Sequence, residues 1–101
     1  DEQDYKDLIK LSQKDRLEKK AKFSNEIHVR HMTAAEAQTV LEKYLDDAFL
    51  LNVSPVYIVH GKGKGILRER VALLLRELNY VKSYRRGDYH EGGEGVTVVY
   101  F

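Results

Sequence analysis

The run Val56-Tyr57-Ile58-Val59 constrains this chain more than any other stretch. A continuous β-branched and aromatic segment without polar alternation is the pattern of a central strand covered by helices. Its flanks supply the cover. Upstream, Ala37, Val40, Leu41, Tyr44, Leu45 and Ala48 recur at three- and four-residue steps while Glu42, Lys43, Asp46 and Asp47 point away. Thr33-Ala34-Ala35-Glu36 matches a capping box and places the start of that helix, with Thr33 accepting from the Glu36 amide and the Glu36 carboxylate reaching back. Downstream, Ile66, Leu67, Val71, Leu74, Leu75 and Leu78 form a second apolar helical face that ends at Asn79. Ile27, Val29 and His31 alternate with His28 and Arg30, the period of a half-buried strand. Val81 to Arg86 and Val96 to Phe101 read as two more strands, with a loop over 87–95 between them. The order β-α-β-α-β-β predicts an α/β (α+β) two-layer sandwich. Its four-stranded mixed sheet carries two helices on one face, because right-handed crossovers put them there.

With 101 residues the chain has room for a single small domain, and one Pro with seven Gly excludes a collagen-like repeat or a disordered linker. No cysteine is present, so disulfides, thiolate metal sites and a Cys nucleophile are excluded, which fits a reducing, cytoplasmic setting. No apolar run approaches the roughly 18 residues of a membrane span, and no signal-peptide pattern appears. The first residue is Asp1, so the chain reads as a piece of something longer. Residues 1–25 are dense in charge, and their short apolar stripe of Tyr5, Leu8 and Ile9 predicts a charged helical linker. The compact domain is expected over 26–101.

A formal charge of +1 argues at first against a polyanionic partner. Its distribution argues the other way. Residues 60–86 hold eight Lys and Arg against two Asp and Glu, whereas 26–59 hold two against five and 87–101 hold none against three.

The basic block opens on His60-Gly61-Lys62-Gly63-Lys64-Gly65 between the central strand and the second helix. Glycines let the backbone approach an anion with its amides, a helix N-terminus adds about half a positive charge, and Lys62 and Lys64 add two more. The spacing is neither a dinucleotide fingerprint nor a P-loop, since both need glycine at Ile66. Arg68 and Arg70 lie in the first turns of that helix, where the dipole disfavours cations, and this points to a ligand. Arg30, Lys82, Arg85 and Arg86 could widen the patch. His28 and His31 fall on opposite faces of a strand and make a poor zinc pair. His60 is placed to act as a general acid or base beside a bound phosphodiester. In His90-Glu91-Gly92-Gly93-Glu94-Gly95 the two acids either approach a metal or nucleic acid or are solvated loop residues.

Val59 to Arg68, Val81-Lys82-Ser83-Tyr84-Arg85 and Glu91 to Val99, taken in order, resemble the Smr (small MutS-related) domain, most of all the version at the C-terminus of bacterial MutS-two proteins. That resemblance implies a fold similar to the C-terminal domain of bacterial translation initiation factor three. It also implies DNA or RNA as partner, with nicking or endonuclease activity in many members. It connects the chain to suppression of recombination, DNA repair and rescue of stalled ribosomes, in a homodimeric parent with an ATPase; the isolated domain is expected to be monomeric. His60, Gly61, Gly63 and Arg68 fall on the family's second motif. The first, L-D-L-[HR]-G, falls on Ile27 to His31, where Arg30 matches, His28 replaces the acid and His31 replaces the glycine. Together with the glycine-loop reading, this makes His60 and His28 the catalytic candidates, and Arg30, Gly61, Lys62, Gly63, Lys64, Gly65 and Arg68 the nucleic-acid contacts. It fixes no metal ligand or cofactor and leaves a divalent metal open. His28 could act as a base but not as a hard-cation ligand, so binding should survive this departure better than cleavage, and a degenerate docking module is the alternative.

Overall fold

The computed structural model describes residues 2–101, with the side chains of Tyr5 and of 8–11 outside the described set. The apolar stripe expected from Tyr5, Leu8 and Ile9 lies outside the described residues. Helix α1 spans Glu2–Lys22. Acids in its first turn and lysines in its last complement the helix dipole, and Asp15–Lys19 pair along its surface at 3.1 Å. Leu17 in this helix is 66% exposed. Arg16 donates to the Leu50 carbonyl, and Phe23 stacks on Tyr44 at 5.0 Å.

Strand β1 (Glu26–His28) leads into α2 (Ala34–Leu50), then β2 (Val56–Val59), α3 (Ile66–Glu77), β3 (Ser83–Arg86) and β4 (Val96–Tyr100). The sheet order is β1-β2-β4-β3, with β1 and β2 parallel and the other pairs antiparallel. The mixed sheet and the element order agree with the pattern read from sequence. Thr33 caps α2 by accepting the Glu36 amide at 3.1 Å, although the reciprocal bond from the Glu36 carboxylate is not made among the described residues. The far end closes as a Schellman motif, with Asn52 left-handed and Val53 N–H donating to the Ala48 carbonyl.

One face of the sheet presents Val56, Ile58 and Val99 to Ala37, Leu41, Leu45 and Ala48 of α2 and to Val71, Leu74 and Leu75 of α3. These side chains are all 4% exposed or less, and truncating one such leucine to alanine costs about 2–5 kcal/mol. The second face is covered as well, by the segment that follows β3. Val96 and Val98 lie opposite Val59 and Tyr57 on that face and are buried. Gly92 sits so close over Val96 that a β-carbon there would come within 2.4 Å of Val96 Cγ2. The expected loop over 87–95 is in fact two short 3-10 turns, Tyr89–Glu91 and Gly93–Gly95, folded onto the sheet.

Three expectations are corrected here. Arg85 does not widen the basic patch: its guanidinium bonds both Glu91 oxygens at 2.7 and 3.0 Å and the Tyr100 hydroxyl at 3.0 Å. Glu91 is correspondingly held within the fold rather than being a solvated loop acid. Its hydrogen bonds from Arg85 and from the Asp88 amide hold its carboxyl down at about 2. Strand β1 is also shorter than expected, because the chain turns at His31, which has φ +69° and is exposed rather than on the buried side.

A left-handed backbone strains any residue with a β-carbon, by roughly 1–2 kcal/mol, and favours glycine. We expect His31→Gly to raise the unfolding free energy by up to about 1 kcal/mol, the relieved strain being partly offset by the entropy that glycine adds to the unfolded chain. His31→Val should lower it by about 1 kcal/mol or more, since β-branching worsens the strain. Urea denaturation midpoints of the two variants check both signs.

Candidate nucleic-acid interface

The C-terminal ends of the parallel strands β1 and β2 open into one groove of about 450 Å³, lined by residues 30–34 and 60–68. Two helices begin at its rim, α2 after Thr33 and α3 after Gly65. Both N-termini therefore bring partial positive charge to the same space. Among the described residues, no acidic residue lines the groove. Among the described residues, Arg30, Lys62, Lys64 and Arg68 form no ion pair, and no group of three or more His, Asp or Glu is placed to hold a metal.

The glycine loop is anchored at its first residues. The Gly95 carbonyl accepts from the amides of both His60 and Gly61 at 3.0 Å, so the Gly61 amide is not available to a ligand. Beyond it, the backbone amides from Lys62 to Arg68 have no hydrogen-bond partner among the described residues, and the helical ladder begins with Glu69 N–H on the Gly65 carbonyl. Unpartnered N–H groups at a helix start favour an anion. Gly61 has φ +81°, and a β-carbon on it would lie 3.1 Å from Arg30 Nε. The absence of a side chain there lets the Arg30 stem lie against the loop, so that a cation from β1's end reaches the loop from β2's end.

His60 lines the groove but is only 4% exposed. Its Nδ1 lies 2.9 Å from the Gly61 carbonyl, which can only accept, so Nδ1 carries the proton and donates. Its Nε2 lies 2.9 Å from Thr97 Oγ1, and in the neutral ring it accepts the threonine proton. Burial, with a smaller contribution from the Arg68 charge, lowers the His60 pKa against the opposing Gly61 hydrogen bond. Thr97, the one polar side chain in Val96-Thr97-Val98-Val99, was not singled out from the sequence, although its place inside an apolar strand was a signal of a buried partner.

The structure does not bring His28 to this groove. Its Nε2 is 2.6 Å from Glu26 Oε1, and it faces the same side of the sheet as Val59. Arg70 turns away too, donating to Gln38 on α2 at 2.9 Å, and Arg86 pairs with Glu94 at 3.4 Å. Gly61, Lys62, Gly63, Lys64, Gly65, Arg30 and Arg68 do share the groove, joined by the N-terminus of α2, which the sequence reading had not placed there.

A model of the Smr domain matches residues 27–101. The chain belongs to the Smr domain family. It is 49% identical over 82 residues to the endonuclease MutS2 of Caldanaerobacter subterraneus subsp. tengcongensis, covering 81% of this chain and 10% of that protein. It is 47% identical over 90 residues to the endonuclease MutS2 of Lachnospira eligens, covering 89% and 11%. The chain thus spans about a tenth of the length of these relatives. Its fold is that of the crystal structure of the Smr domain of Thermus thermophilus MutS2, with a TM-score of 0.72 at 39% identity over 74% of this chain and 94% of that one. YdaL, a stand-alone small MutS-related protein from Escherichia coli, gives the same TM-score at 26% identity, over 75% of this chain and 63% of that one.

Because the unfolded chain binds a proton at His60 more tightly than the folded Smr domain does, stability should rise with pH across this titration. The His60 contribution is complete above about pH 6.5 and is lost as pH falls toward the lowered folded-state value. Urea unfolding at pH 7.5 and 5.5 should show a drop at the lower pH that His60→Gln reduces, and the His60 ring resonances should titrate below the ordinary imidazole range.

Proposed function

We propose that this Smr domain binds nucleic acid by its phosphates, in the groove between the starts of α2 and α3. The observation that carries the reading is the acid-free groove in which the unpartnered amides from Lys62 to Arg68 face a space shared with Arg30, Lys62, Lys64 and Arg68. Unpartnered amides and unpaired cations each favour an anion, and their convergence along one groove suits a chain of phosphates better than a single small ion. Affinity gained this way is largely electrostatic, so it falls steeply with salt. The kinship to proteins named endonuclease MutS2 supports a nucleic-acid partner, and membership of a larger MutS2-like parent acting on DNA or the ribosome fits the same chemistry.

Cleavage is the second reading, favoured by His60 lining the groove among these cations. It asks more of the site. To take a proton from water, Nε2 must exchange its bond to Thr97, and no carboxylate of the groove stands behind the ring. Phosphate binding needs no such rearrangement, so binding leads and hydrolysis follows from it.

For binding, Lys62→Ala/Lys64→Ala should weaken affinity and flatten the plot of log affinity against log salt by about 1.8 on duplex DNA, the value for two lost phosphate contacts. An unchanged slope places the phosphates elsewhere. For cleavage, the domain should nick supercoiled plasmid or cut single-stranded RNA, and His60→Ala should lose that cutting while still binding. Cutting that persists in the variant removes His60 from the chemistry.

A further inference from the structure

Beside the phosphate groove lies a second concavity of about 530 Å³, and Lys62 lines both. Its other walls come from Arg86 at the end of β3 and from the turn that covers the sheet, including Asp88, Tyr89 and Glu94. Tyr89 is 91% exposed, well above Leu17 at 66% and Ile66 at 63%. Its ring meets the His90 ring edge-on at a centroid distance of 5.4 Å, and its hydroxyl has no hydrogen-bond partner among the described residues. The backbone that carries the ring is braced. Glu91 N–H and Gly93 N–H both donate to the Asp88 carbonyl, at 2.8 and 3.0 Å. The Glu91 carboxylate binds the Asp88 amide at 2.8 Å and is itself clamped by Arg85. Tyr89 is thus fixed outward on a braced turn.

We propose that Tyr89 is a stacking platform for an unpaired base of the nucleic acid whose phosphates occupy the neighbouring groove. This rests on the phosphate-binding reading and adds to it a preference for single-stranded or locally unstacked substrate. The electrostatics of the two spaces differ in the way this requires. The first groove has cations and no acid, and it suits phosphate. The second sets Lys62 and Arg86 against Asp88 and Glu94, a nearly neutral balance that repels a second phosphate less than it rewards an uncharged base. Bases present a π-face to aromatic side chains whatever their sequence, so the platform selects strandedness rather than sequence. Lys62, common to both spaces, is the hinge between backbone and base.

The test compares a single-stranded oligonucleotide, as DNA and as RNA, with a duplex of the same sequence, by equilibrium binding to the native domain, Tyr89→Ala and Tyr89→Phe. Tyr89→Ala should weaken single-strand binding about 5- to 100-fold, the range for one lost base–aromatic stack, and leave duplex binding within about twofold. Tyr89→Phe should bind like the native domain, since the ring and not the hydroxyl acts. A 2-aminopurine base in the oligonucleotide should be quenched on binding to the native domain and less so on binding to Tyr89→Ala. Equal affinity of all three proteins for the single strands overturns the stacking inference alone. Failure of the native domain to bind any of the three nucleic acids at low salt overturns the phosphate reading with it.

Discussion

The Gly95 carbonyl holds two strand ends together and decides what the glycine loop can do. By accepting from both His60 and Gly61 amides it pins the start of the loop to the entrance of β4. The His60 ring tightens the same junction, with Nδ1 on the Gly61 carbonyl and Nε2 on Thr97 of β4. After this anchor Lys62, Gly63 and Lys64 are exposed, and the amides from Lys62 to Arg68 are left without partners among the described residues. A loop without the anchor could satisfy those amides by folding on itself. With it, the unmet hydrogen-bonding capacity is presented as a surface.

That surface gains its sign from what surrounds it. The +1 formal charge conceals an uneven field, and the acids that balance the basic block are spent elsewhere. Glu91 is consumed by Arg85, Glu94 by Arg86, and Asp47 by Lys43. The groove is left with Arg30, Lys62, Lys64 and Arg68 and with two helix N-termini that add to them. The cations at the start of α3 are disfavoured by its dipole, and a bound phosphate reverses that penalty.

Much of this was legible in the sequence, and the reasons are local. Helix α2 announced itself through its three- and four-residue apolar steps and its Thr33 cap, β2 through an uninterrupted apolar run, and the glycine loop through composition alone. The rest depended on contacts that no local pattern carries. The bond between Arg85 and Glu91 joins a strand to a turn that folds back on it, so Arg85 read as a free cation and Glu91 as a free acid. Val96 is covered by that same turn at Gly92, a contact that no local pattern in β4 announces. His31 stood in the sequence as an alternating strand residue, whereas its left-handed backbone ends β1 and starts the turn into α2. His60 was correctly seen as lying next to the basic loop, but its closed pair of hydrogen bonds was visible only once Thr97 was placed opposite.

The most direct measurement is a titration of the ¹⁵N-labelled domain with a short oligonucleotide, following every backbone amide by NMR. We expect the largest shifts at the amides from Lys62 to Arg68, accompanied by Arg30 and the first turn of α2, and little change along β3 at Ser83 to Arg85. Shifts concentrated on β3 or along α1, with the loop amides unmoved at saturation, would contradict the assignment of the phosphate site to the glycine loop.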